Sequence, residues 1–134
     1  MKKLLTVTLL AAALWAAPAH PDPGDEVEVT AGVVTGLRCA LEAREKGDLK
    51  LLTSCPPVEA TKGLVVFDVA EQRIYGISTK KVRRYELEGA FGGGSIDFSG
   101  TEVKVDPKTE VATVDVDEYS IAKRPKPGHF KGCL

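Results

Sequence analysis

Aromatic residues are scarce in this 134-residue chain: one Trp, three Tyr and four Phe, or 6% in all. Proteins that bind single-stranded nucleic acid commonly stack its bases on aromatic side chains. Strong net charge is missing too. Eighteen basic residues stand against nineteen acidic ones, which leaves a net charge of -1 and no global attraction for nucleic acid or an anionic membrane. Histidine occurs only at His20 and His129. No Ser, His and Asp fall in a recognised catalytic order, so the residues give no support to an enzyme. The three cysteines, Cys39, Cys55 and Cys133, include no Cys-x-x-Cys pair. Past the N-terminal region no apolar run is long enough to span a bilayer.

What is present begins with an export signal. Lys2 and Lys3 form a basic start, and Leu4 to Ala17 is free of charge. Ala17-Pro18-Ala19 supplies small residues where a signal peptidase reads, so cleavage is expected after Ala19. The apolar run is about 14 residues, shorter than a transmembrane helix. Residues 1–19 therefore read as a bacterial signal peptide, directing the chain to the periplasm or the medium with no membrane insertion after cleavage. Removal of Lys2 and Lys3 leaves 16 basic and 19 acidic residues, a net charge of -3. Residues 20–25, with two prolines and a glycine, read as a flexible lead-in.

Residues 26–123 carry the fold. Val27, Val29, Ala31, Val33, Leu37, Cys39 and Leu41 alternate with mostly polar residues, which predicts a strand over 26–42. Gly32 and Gly36 suit a sharp bend in it. Residues 45–63, polar and with Pro56-Pro57 in their centre, read as a long loop with room for one helical turn. Leu64–Val69 and Arg73–Ser78 make a hairpin. Thr79–Phe91 is the one expected helix, capped by Ser78 or Thr79. Gly92-Gly93-Gly94 calls for a loop with positive φ. Ser95–Val105 and Glu110–Ala122 make a second hairpin around Asp106-Pro107-Lys108-Thr109, which suits a type I turn. Ile96 and Phe98 have even numbers and Val103 and Val105 odd ones, so a bulge at Gly100 would turn both pairs inward.

Long bent strand, loop, hairpin, helix, hairpin is the order of the OB-fold. The expected fold class is therefore all-β with one short helix, a five-stranded OB-like Greek-key barrel. Thr35-Gly36-x-x-Cys39, Gly63-Leu64, Tyr75 and the closing Phe98-Ser99-Gly100-Thr101-Glu102-Val103 resemble small secreted bacterial OB-fold proteins of uncertain function. The resemblance spans most of the exported chain and implies a fold rather than a reaction. The tail, 124–134, departs from it.

OB-folds bind ligands on the face of their second and third strands. Phe67, Arg73 and Tyr75 lie on that hairpin, so they are the candidate ligand-binding residues, together with the loop after the first strand. The expected function is a non-catalytic binding or accessory module for a protein partner or small ligand. Basic clusters occur at Lys80, Lys81, Arg83 and Arg84 and at Lys123, Arg124, Lys126 and Lys131, but the acidic balance and export disfavour nucleic acid. Cys39–Cys55 is the expected disulfide, with a bridge from Cys133 to either as the competing pairing. No cofactor is expected on this reading. The alternative is a zinc or copper protein using Cys39, Cys55, His129 and Cys133.

Overall fold

The computed structural model describes residues 24–123; the signal-peptide reading of 1–19, the tail and the ligands His129 and Cys133 lie outside them. Five strands, β1 (Glu26–Gly36), β2 (Leu64–Asp68), β3 (Arg73–Ile77), β4 (Ser95–Val105) and β5 (Ala112–Ala122), close a barrel in the order β1-β2-β3-β5-β4. All pairings are antiparallel except β3 with β5. This is the expected OB-like barrel. Among the described residues the helices are four rather than one: α1 (Leu37–Lys46), α2 (Lys50–Thr53), α3 (Pro57–Lys62) and α4 (Arg84–Ala90).

β1 is long because it pairs with two different strands of the barrel. Its first half pairs with β4, from Glu26 opposite Thr101 to Val29 opposite Phe98. Its last residues pair with β2, from Val33 opposite Phe67 to Gly36 opposite Leu64. The bend lies where the register shifts between Val29 and Gly32, with Ala31 at φ 54°. Gly32 is buried there, and a Cβ on it would collide with Val66. The extra residue reverses the alternation. Val27 and Val29 point into the barrel, and so does Val34, whereas Val33 turns to the outer side.

The strand stops at Gly36, six residues before the expected end. Leu37, Cys39 and Leu41 alternate, but Leu37 and Leu41 are also one helical turn apart. Ala40 and Ala43 are fully buried three residues apart, and Gly47 ends the helix in the left-handed conformation. Cys39 therefore sits on α1 and not on the inward face of a strand. The expected loop over 45–63 holds α2 and α3, with Pro57 at the first turn of α3, where its missing N–H costs nothing.

α4 is shorter than the expected Thr79–Phe91. Ser78 and Thr79 precede it without capping it; the Glu86 carboxylate accepts the Arg83 N–H at 2.9 Å instead. Leu87, Ala90 and Phe91 join the barrel core. Gly92 and Gly93 take φ of 83° and 129°, as the triple glycine required.

In β4 the inward row runs unbroken through Ile96, Phe98, Gly100 and Glu102. The register skips one residue of β5 beside Gly100 and one residue of β4 after Glu102. Val103 is thereby 47% exposed, contrary to the expectation that Val103 and Val105 both face the core. Gly100 does lie at an irregularity, because a Cβ there would strike the Asp115 carbonyl. The β4–β5 turn closes through Glu110 N–H to the Asp106 carbonyl at 2.8 Å, and the Asp106 carboxylate accepts the Lys108 N–H at 2.9 Å.

Candidate functional site: a closed face and an open notch

The hairpin side chains divide between two surfaces. Val66 lies opposite Tyr75, Phe67 opposite Ile74 and Asp68 opposite Arg73. Tyr75 and Val66 belong to the barrel core, with the Tyr75 ring edge-on to Phe98 at 6.0 Å between centroids. Phe67 and Ile74 belong to a second core on the outer side, with Val65, Ala40, Ala43 and Leu52. Phe67 is wholly buried. The structure thus brings Arg73 and Tyr75 together and separates Phe67 from them. Phe67 is a packing residue, which corrects its assignment to a ligand face.

What covers Phe67 is the chain itself. α1 and α2 lie across the outer face of β2 and β3. Thr35 donates its hydroxyl to the Leu52 carbonyl at 2.9 Å. Arg44 donates to the Thr109 carbonyl at 2.8 Å, which links α1 to the β4–β5 turn. Cys39 and Cys55 are joined, with Cα atoms 5.8 Å apart, so the bridge ties α1 to the segment between α2 and α3. OB-folds recognise ligands on this face and through the loops that flank it. Here one of those loops has become a helical cover and is bonded to the other. The two sulfurs spent on the bridge also leave the four-ligand zinc or copper set without two of its thiolates. Among the described residues no group of three or more His, Cys, Asp or Glu is placed to hold a metal.

A different surface remains accessible. At the end of the hairpin a notch of about 250 Å³ opens between β2–β3 and the first half of β1. Glu26, Glu28, Asp68, Glu71, Arg73 and Tyr75 line it. Tyr75 and Asp68 are buried at its floor, and Glu26, Glu28 and Glu71 stand exposed at its rim. Burial holds the Tyr75 phenol above its usual pKa; the Arg73 hydrogen bond and charge work against this, and the Asp68 and Glu102 charges add to it. Asp68 accepts the Ala70 N–H at 3.2 Å, which shapes the hairpin turn.

The acidic character continues onto the β1–β4–β5 face. Glu28, Ser99 and Glu118 lie in one row across the three strands, and Asp97 accepts the Ala31 N–H at 2.6 Å. Among the described residues, the salt bridges use other carboxylates: Glu42, Glu59, Asp115 and Glu88. The basic cluster around the start of α4 is exposed but makes its contacts within the chain. Lys80 reaches Asp115, Lys81 the Asp117 carbonyl, and Arg84 both Glu88 and the Ala60 carbonyl.

Of the residues singled out from the sequence, Arg73 and Tyr75 line this notch, together with four carboxylates that the sequence reading did not single out. The alternation Glu26-Val27-Glu28-Val29 had marked the glutamates only as the wet side of a strand. The notch needs the hairpin tip brought against that strand, and no local pattern encodes this. No protein-family model, curated protein or solved structure matches this chain.

Proposed function

We propose that this chain is an exported, non-catalytic binding module, akin to small secreted bacterial OB-fold proteins, that engages a cationic polypeptide at the acidic notch. One observation carries the reading. The face that OB-folds ordinarily offer is closed by α1 and α2, while the notch stays open and carboxylate-rich. Positive side chains gain from four carboxylates around a partly buried site, where screening by solvent is weaker than on an open surface. Export fits the Cys39–Cys55 bridge, because disulfides persist in the periplasm and outside the cell. Among the described residues no helix is long and apolar enough to cross a membrane.

The test is a chemical-shift titration of the full exported chain with a decapeptide of alternating lysine and threonine, beside its glutamate–threonine counterpart. The lysine peptide should shift the amides of Glu26, Glu28, Glu71 and Arg73, and the glutamate peptide should not. The double variant E26K/E28K should lose the response with the fold intact. Equal responses to both peptides, or shifts confined to α1–α3, would refute the reading.

A further inference from the structure

The two halves of β1 have different neighbours, and only Val33 has a partner on both sides, Phe67 in β2 and Ser95 in β4. Val33–Gly36 pairs with β2, whereas Glu26–Val29 pairs with β4 on one side. β2 ends at Asp68 and the chain turns back at residues 69–72. Among the described residues no strand therefore lies against the second edge of Glu26–Thr30. In an antiparallel ladder alternate residues direct their N–H and C=O groups away from the partner strand. Glu26, Val27 and Glu28, within this stretch, line the notch.

An open edge of this kind is a template for a further strand. Its surroundings indicate the kind of strand. Glu26 and Glu28 are exposed on the outer face of β1, two residues apart. A strand laid beside them presents every second side chain to that same face. Asp68 and Glu71 stand on the opposite wall. Among the described residues that line the notch, only Arg73 carries positive charge. On the inner side Val27 and Tyr75 offer apolar surface.

We propose that the edge of β1 at Glu26–Thr30 accepts an extended polypeptide of a partner protein, with lysine or arginine at alternate positions, as an added strand of the barrel. This rests on the binding reading above and specifies its mode. Backbone hydrogen bonds supply the attachment, and the carboxylates at Glu26, Glu28, Asp68 and Glu71 select the charge.

The experiment compares the lysine–threonine decapeptide with the same peptide N-methylated at every second residue, in the two possible phases, against the full exported chain. Amide hydrogen exchange over residues 26–30 is followed in each case. The unmethylated peptide should bind and protect alternate amides in this stretch. One methylated phase should bind about tenfold or more weakly, having lost several hydrogen bonds, while the other binds nearly as well. If both phases bind as tightly as the parent, charge recognition stands and strand addition is overturned. If no peptide binds, both readings fall, and Glu26 and Glu28 are edge-protecting charges. If the free chain already shows protection at these amides, and removal of residues 124–134 abolishes it, the edge belongs to the chain's own basic tail and the proposal is overturned.

Discussion

Phe67 and Tyr75 lie within one hairpin, and their exposure is similarly low, yet they answer to different surroundings. Phe67 is held between β2, β3 and α1–α2. Phe67→Ala should destabilise the protein by about 3–5 kcal/mol through lost transfer energy and the cavity left behind; urea unfolding followed by circular dichroism measures it. A residue serving only a ligand would leave the midpoint unchanged. Tyr75 is the one whose ionisation the fold resists. Its pKa lies above 10.0 because burial disfavours the phenolate. The fold therefore favours the neutral phenol. That contribution is complete below about pH 10, the unfolded value, and is lost as pH rises through the higher folded value. Absorbance near the phenolate band should show Tyr75 ionising above its ordinary value or together with alkaline unfolding. Titration of all tyrosines at an ordinary value would contradict this. Gly100 was legible as an irregular position, but the reason was not. Alanine there should cost more than about 1 kcal/mol, since its Cβ meets the backbone of Asp115 and cannot be eased by a side-chain rotation.

The helical insert is the element that makes this barrel unlike a bare OB-fold. α1 and α2 supply half of the buried residues of a second core, and the Cys39–Cys55 bridge ties α1 to the segment between α2 and α3. A separation of 16 residues corresponds to about 3 kcal/mol of lost unfolded-state entropy in the chain-entropy description. The C39S/C55S double variant should lose about that much in denaturant unfolding. Amide exchange should rise first in α1–α3, before the β4–β5 ladder responds. If β4 and β5 exchanged as readily as the insert, the insert would not be a separate cooperative unit. α1 was hidden because its apolar residues satisfy both periodicities over a few turns. Leu37, Cys39 and Leu41 continue the alternation of β1, while Leu37 and Leu41 share a helix face. The ends of the hairpins were easier to read, because Asp106-Pro107 and the glycines at 92–94 have strong local preferences that the tertiary structure leaves in place.

At the scale of the whole molecule, charge is nearly balanced but unevenly used. Lys80, Lys81 and Arg84 are engaged within the fold, whereas Glu26, Glu28 and Glu71 face outward at the notch. The proposed attraction for a cationic partner rests on this placement of charge rather than on net charge. Affinity for the lysine–threonine peptide should fall steeply with added salt and be largely gone near 1 M, where the screening length is about 3 Å. Calorimetric titration at several salt concentrations checks this, and a salt-independent affinity would point to apolar contact instead.

Local patterns determined most of the strands, both hairpins and the order of strands along the chain, because alternation, turn residues and glycines act over a few positions of chain. They also pointed to Cys39 and Cys55 as partners. Which side of each strand became interior was decided only in three dimensions. One extra residue near Ala31 reverses every side chain after it, and one after Glu102 turns Val103 to solvent. The closing of the β2–β3 face and the gathering of Glu26, Glu28, Asp68 and Glu71 around Arg73 likewise depend on contacts between segments some 40 residues apart. Such contacts are chosen by the packing of the whole chain, and no short stretch of it carries them.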